Sequence, residues 1–216
     1  MPVLVKICGL NAVAPLEAAL SGGADMVGFV FFSKSPRNID FSQAQKLSAQ
    51  VAGRAEKVAL VVDADDAFIT SIIDALSPDW LQLHGKETPE RVAALKAFGR
   101  PIIKAIGVAE KSDLCNAEAY EKAADRLLFD AKPPKGAASP GGNGLTFDWR
   151  LVHDYAAEGH SKDWLLSGGL DADNVGDAIR LTGAPGVDVS SGVEDAPGQK
   201  NPEKILAFIA AARAAK

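Results

Sequence analysis

The chain has 216 residues, 47% hydrophobic and 24% charged, a composition that supports a sizeable core and excludes a disordered, collagen-like or disulfide-stapled protein. Its 23 basic and 28 acidic residues leave a net charge of −5, which offers little to nucleic acid or an anionic membrane surface. No run approaches the roughly 18 uninterrupted apolar residues of a membrane helix, and the opening Met1-Pro2-Val3-Leu4-Val5-Lys6 lacks the layout of a secretory signal. Cys8 and Cys115 therefore read as free thiols in a reducing cytoplasm.

Short runs rich in Val, Ile, Leu and Phe recur along the chain at 3–8, 26–31, 57–62, 80–84, 101–108, 126–130, 163–167 and 186–190. A turn and a segment of helical periodicity follow each, for example 42–51, 87–98 and 202–212. Helices over 14–21 and 174–181 end at Gly22-Gly23 and near Gly183, as helix C-termini often do. The interval between runs averages about 26 residues, the length of a strand, a helix and two turns. Near-continuous apolar strands alternating with amphipathic helices predict a parallel sheet covered by helices. Eight such units predict a single-domain (β/α)8 barrel, a TIM barrel, spanning 1–216. An open doubly wound sheet is the rival, but it usually has fewer strands, and no Gly-x-Gly-x-x-Gly follows the first run.

Strand parity sorts side chains into two layers. Lys6 and Cys8 share one face of the first run, Gln82 and His84 one face of the fourth, Leu128 and Asp130 of the sixth, and Asp188 and Ser190 of the eighth. Apolar faces meet the outer helices, so the polar faces are expected inside the barrel, several of them at the C-terminal rim where such barrels place their chemistry. Lys104 and Asp63 are assigned to the same scheme. An unpaired buried charge costs several kcal/mol, so Lys6, Lys104, Asp63 and Asp188 are expected to pair with one another or face the site.

Two rim residues could move protons. Cys8 ends the first strand before Gly9 and reads either as a small buried hydrophobe or as a thiol whose thiolate is stabilised by nearby cations. Asp130 ends the sixth strand and could cap a helix, pair with Lys132, or act with Cys8 as the second member of an acid–base pair. The stronger signal is for an anion. Ser167-Gly168-Gly169-Leu170 and Ser190-Ser191-Gly192-Val193 follow strands seven and eight, where glycine lets backbone N–H groups converge on a phosphate. Arg37, in the loop after strand two, suits a substrate carboxylate. His84 reads as a satisfied inward-facing side chain, His153 and His160 as structural or solvated, and Cys115 as part of an outer helix. No Cys/His cluster has metal spacing, so no metal site is expected. Seven of the thirteen residues in 132–144 are Gly or Pro, and this longest loop of the rim is read as a lid.

In order along the chain, Lys6-Ile7-Cys8-Gly9-Leu10, Ser35-Pro36-Arg37-Asn38-Ile39, Gln82-Leu83-His84-Gly85, Leu128-Phe129-Asp130, Gly144-Leu145-Thr146-Phe147-Asp148-Trp149, Leu166-Ser167-Gly168-Gly169-Leu170 and Val187-Asp188-Val189-Ser190-Ser191-Gly192-Val193-Glu194 resemble phosphoribosylanthranilate isomerase. The resemblance covers essentially the whole chain. It implies a (β/α)8 barrel of tryptophan biosynthesis that converts N-(5-phosphoribosyl)anthranilate to 1-(2-carboxyphenylamino)-1-deoxyribulose 5-phosphate by an Amadori rearrangement, without a cofactor, as a monomer or homodimer. By the same resemblance Cys8 is the general base and Asp130 the general acid. Arg37 contacts the anthranilate carboxylate, Asp188 lies near the substrate, and Gly168, Gly169, Ser190, Ser191 and Gly192 hold the phosphate. Asn11 and Asn143 stand where Ser or Thr is more usual. Indole-3-glycerol-phosphate synthase usually has a segment before its first strand, and the histidine-pathway isomerase has an aspartate where Cys8 stands. A sugar-phosphate sensor without catalysis would not need both Cys8 and Asp130.

Overall fold

The computed structural model describes residues 2–133, 140–160 and 163–215. Eight parallel strands close into a barrel: β1 (Leu4–Cys8), β2 (Met26–Phe31), β3 (Glu56–Val61), β4 (Trp80–Leu83), β5 (Ile102–Val108), β6 (Arg126–Ala131), β7 (Trp164–Leu166) and β8 (Gly186–Val189). Each strand bonds to the next, and β8 returns to β1 with Lys6 level with Asp188. The helices between them are α1 (Val13–Ser21), α2 (Phe41–Val51), α3 (Asp66–Leu76), α4 (Pro89–Leu95), α5 (Lys111–Glu118), α6 (Arg150–Ala157), α7 (Val175–Thr182) and α8 (Pro202–Ala214). The predicted eight-unit barrel is therefore the observed one. A short antiparallel pair, β9 (Glu194–Ala196) and β10 (Gln199–Lys200), is inserted between β8 and α8, where a helix was expected to follow directly.

Local chemistry sets the helix starts. Asp40, Asp65, Thr88 and Asn201 accept hydrogen bonds from first-turn N–H groups of α2, α3, α4 and α8, and Pro89 and Pro202 occupy early positions that need no donor. Each such cap contributes about 1 kcal/mol. At the N-terminal end of the barrel one device recurs. Asp25, Asp79 and Asp125 stand just before β2, β4 and β6, and each carboxylate accepts from the first N–H groups of the preceding strand, at Val5 (2.7 Å), Lys57 (2.7 Å) and Ile102 (2.8 Å). These bonds satisfy backbone donors that the staggered ladder leaves over.

Leu4, Met26, Val58, Trp80, Ile103, Ala105, Leu128 and Leu165 fill the lower barrel, with Cys8, Val30 and Leu60 above them. The opposite faces of the strands join the helices in one outer core. This arrangement corrects two assignments. Ile103 and Ala105 point inward, so Lys104 points outward, level with Leu83 and Leu127. There its ammonium meets Glu87 at 2.7 Å, the Gly85 carbonyl at 2.8 Å and the face of Tyr120. Asp63 lies beyond the end of β3 in a left-handed conformation (φ 48°), and its carboxylate accepts from the Lys86 N–H at 2.6 Å. The inward assignment failed at these two positions because Glu87, from the loop after β4, reaches back to satisfy both. Its carboxylate takes the Lys104 ammonium and the Asp63 and Gly85 N–H groups. Lys104 and Asp63 thus fasten the rim behind His84 and do not face the site.

Candidate active site

The barrel's C-terminal mouth opens into a cleft. Cys8, Arg37, His84, Asp130, Gly168, Gly169, Asp188, Ser190 and Ser191 all line it, together with Gly141, Gly142 and Leu145. Gly192 belongs to the wall behind. A Cβ placed on it would overlap the Leu170 carbonyl oxygen, so this glycine lets the loops after β7 and β8 touch backbone to backbone. Residues 134–139, six of the thirteen in the segment read as a lid, lie outside the described residues.

Cys8 enters from β1 and Asp130 from β6, two strands well separated around the ring, so both reach the cleft from different sides. Gly28 on β2 makes room for the thiol, since a Cβ there would lie 2.9 Å from the Cys8 sulfur. Beneath it Lys6, with no solvent exposure, donates to Asp188 at 2.7 Å, and the other oxygen of Asp188 accepts from the Ser167 hydroxyl at 3.2 Å. Of the four charges expected to pair with one another or face the site, Lys6 and Asp188 do pair. Burial opposes the charge of Lys6, but Asp188 and the Cys8 sulfur outweigh it and hold the ammonium above its ordinary range. For Cys8 the balance goes the other way. Burial, helped by the charge of Asp188, pushes the thiol up against the pull of Lys6 and Lys200, so the substrate-free site favours the protonated sulfur.

Asp130 accepts from the Ala131 N–H at 2.9 Å and has His84 Nε2 3.3 Å from its other oxygen. The second His84 nitrogen is 3.1 Å from the Gln82 amide. His84 is thus satisfied at both ring nitrogens, as its sequence position suggested, and one of its partners is the carboxylate that faces the cleft. Gly141 closes over this pair. A Cβ there would meet His84 Nε2 at 2.6 Å and Asp130 Oδ2 at 2.9 Å.

Gly168 and Gly169 turn the chain after β7 with φ of 87° and 65°, a conformation that side-chain-bearing residues rarely adopt. Among the described residues, no acceptor pairs with the N–H of Gly168, Gly169 or Ser191. These donors line the cleft with Ser190, the Gly168 turn lying against Ala131 at the end of β6, and free backbone N–H groups are the chemistry that a phosphate requires.

Arg37 is buried and paired, unlike a solvated loop arginine. Its Nε and Nη2 donate to the two oxygens of Glu194 at 2.7 and 2.8 Å, and Nη2 also meets the Gly142 carbonyl at 3.2 Å. The side edge of the guanidinium is therefore taken by the protein and Nη2 is shared with the Gly142 carbonyl, which leaves Nη1 for an anion. Glu194 and its second partner Lys200 escaped the sequence reading. Pro197-Gly198, with Gly198 at φ 82°, was the available signal, because it marks the tight turn that brings the two opposite each other. Asn11 is no helix cap. Its amide donates to the Gly198 carbonyl at 2.9 Å and holds that turn to the loop after β1.

Comparison with known proteins agrees with this geometry. The family model described as N-(5'phosphoribosyl)anthranilate (PRA) isomerase matches residues 5–211. N-(5'-phosphoribosyl)anthranilate isomerase of Rhodopseudomonas palustris strain BisB5 is 58% identical over all of this chain and 98% of its own. The protein of the same name from Parvibaculum lavamentivorans is 54% identical over the full length of both. Among solved structures, phosphoribosyl anthranilate isomerase from Thermotoga maritima superimposes with a TM-score of 0.86 at 35% identity, covering 97% of this chain and 98% of that one. A phosphoribosyl anthranilate isomerase in complex with reduced 1-(o-carboxyphenylamino)-1-deoxyribulose 5-phosphate gives a TM-score of 0.84 at 33% identity over the same shares.

Proposed function

The chain belongs to the N-(5'-phosphoribosyl)anthranilate isomerase family, and from that premise we propose that Cys8 and Asp130 divide the proton transfers of its reaction. The reaction is the Amadori rearrangement of N-(5-phosphoribosyl)anthranilate to 1-(2-carboxyphenylamino)-1-deoxyribulose 5-phosphate in tryptophan biosynthesis. The observation that carries the assignment is the arrival of one thiol and one carboxyl group in a single cleft from β1 and β6, with the glycine turns after β7 and β8 at its side.

Protonated Asp130 donates to the ribose ring oxygen as the C1–O bond opens, leaving an iminium conjugated with the anthranilate nitrogen. The iminium acidifies the C2 proton, which the Cys8 thiolate removes, and the enolamine tautomerises to the ketone. The substrate supplies its own electron sink, so no step calls on a cofactor. Burial makes the thiolate the minor form before substrate arrives. Lys6 and Lys200 are the two cations that favour it, and Lys6 acts from the same strand face. The phosphate docks on the N–H groups of Gly168, Gly169, Ser190, Ser191 and Gly192, and the anthranilate carboxylate on Arg37. Asp188 lies below the substrate as the counter-ion that keeps Lys6 in place. Two unpaired thiols support a reducing cytoplasmic compartment. The oligomer is read as a monomer or homodimer, and no helix among the described residues is long and apolar enough to cross a membrane.

The experiment follows the loss of substrate fluorescence when purified protein meets freshly made phosphoribosylanthranilate. Wild type turns over, and Cys8→Ser and Asp130→Asn each lose about 10²- to 10⁴-fold in kcat. Undiminished turnover in either variant removes that residue from the acid–base pair.

A further inference from the structure

The inserted β9–β10 hairpin places three charged side chains almost out of contact with solvent, with 6%, 4% and 0% exposure at Arg37, Glu194 and Lys200. Glu194 and Lys200 are cross-strand neighbours in this pair. One Glu194 oxygen receives both Arg37 Nε and Lys200 Nζ at 2.7 Å. The other takes Arg37 Nη2 at 2.8 Å and the Gly198 N–H at 3.2 Å. Lys200 Nζ continues to the Ser190 carbonyl at 2.8 Å and hydroxyl at 3.1 Å. A continuous chain of charge-assisted bonds therefore runs from the loop after β2 to the loop after β8. It holds two cations and one carboxylate, an imbalance of one positive charge in a buried wall, which is costly until an anion is nearby.

We infer that Glu194 and Lys200 are positioning residues that hold the two anion-binding ends of the cleft at a fixed separation, Glu194 by aiming Nη1 of Arg37 at the substrate carboxylate and Lys200 by fixing Ser190 in the phosphate loop. Neither residue lines the cleft; each acts through a neighbour that does. With Nε and Nη2 engaged by Glu194 and Nη2 also meeting the Gly142 carbonyl, the guanidinium cannot rotate in its plane, and Nη1 is the nitrogen presented. The hairpin makes the geometry local, because the turn at Pro197-Gly198 sets the Glu194–Lys200 spacing whatever the substrate does. The inference rests on the carboxylate reading of Arg37, and the test separates the two.

The test is a cycle between protein and ligand, measured as affinity by calorimetry. The ligands are reduced 1-(o-carboxyphenylamino)-1-deoxyribulose 5-phosphate and its phenylamino counterpart without the carboxylate. In wild type, deleting the carboxylate should weaken binding by about 10- to 100-fold, the scale of a charge-assisted pair. No loss in wild type would refute the Arg37 reading itself. In Glu194→Gln the same deletion should cost about 3-fold or less, because the guanidinium is no longer aimed. An unchanged or larger carboxylate effect in Glu194→Gln would overturn the positioning role and make Glu194 a simple counter-charge. Lys200→Met keeps the Arg37–Glu194 pair neutral and serves if the first variant does not fold. It should weaken ribose 5-phosphate by about 10-fold while leaving the carboxylate effect at its wild-type size. Unchanged ribose 5-phosphate binding in Lys200→Met would overturn the role given to Lys200.

Discussion

Replacing Gly192 with alanine probes the anion site through packing alone. Gly192 does not need a positive φ, so alanine meets no backbone penalty there. It meets a space problem. The new Cβ would overlap the Leu170 carbonyl oxygen and lie 2.9 Å from its carbon and 3.2 Å from the Asp171 Cα. All of these are backbone atoms, so no side chain can swing aside, and the loops after β7 and β8 must part by about 1 Å to restore ordinary contact distances. Such overpacking costs about 1–3 kcal/mol, or roughly 2–12 °C in Tm for a chain of this size. The larger effect is on binding, because both loops supply N–H groups to one phosphate and a misplacement of about 1 Å can cost 10²-fold. Initial rates over a substrate series should show KM raised about 100-fold with a smaller change in kcat. Gly183→Ala, at the left-handed C-terminus of α7 with nothing within 4 Å of its Cβ, serves as the control. It should lose about 1 kcal/mol of stability and keep the wild-type KM. A Gly192→Ala enzyme that loses stability but keeps its KM would refute the placement of the phosphate between these two loops.

Three other perturbations read different parts of the site. Lys6→Met leaves Asp188 buried without its cation and should lower the unfolding free energy by about 3–5 kcal/mol in a urea titration; a loss under about 1 kcal/mol would mean that the pair contributes little. Because burial raises the Cys8 thiol, its alkylation by iodoacetamide in the free protein should be slow at neutral pH and accelerate only above the ordinary cysteine range, while exposed Cys115 reacts at once. Peptide mapping that finds Cys8 titrating below that range would show Lys6 and Lys200 prevailing over burial. Gly141→Ala presses a methyl group against His84 and Asp130 and should lower kcat by about 10-fold or more with less change in KM; equal activity would show that the Asp130 geometry is not critical.

The architecture was legible because each β/α unit announces itself locally. Apolar β-branched runs can only be strands buried on both faces, and Asp40, Asp65, Thr88 and Asn201 start helices by their own side-chain bonds. The Lys6–Asp188 pair could be anticipated because two inward charges on strands that close the ring must meet. What escaped was whatever depends on distant partners. Lys104 obeys parity, but only the neighbours Ile103 and Ala105 reveal which face is inside, and Glu87 makes the outer position tolerable. Arg37 was singled out for its chemistry, yet its counter-ion lies 157 positions away on a hairpin too short to register as strands. The raised Cys8 thiol was only partly legible, since the strand tip allowed either a buried hydrophobe or a cation-stabilised thiolate, and the fold leaves Cys8 3% exposed.

The division of labour between Cys8 and Asp130 is tested most directly by the isotope effect on turnover of substrate deuterated at ribose C2. If Cys8 removes that proton, Cys8→Ser makes the step fully rate-limiting, and its residual turnover should show a primary effect larger than that of wild type. If Asp130 opens the ring first, Asp130→Asn makes ring opening limiting, and its isotope effect should collapse towards unity. The same isotope effect in both variants, or a large one in Asp130→Asn with none in Cys8→Ser, would contradict the assignment of base and acid.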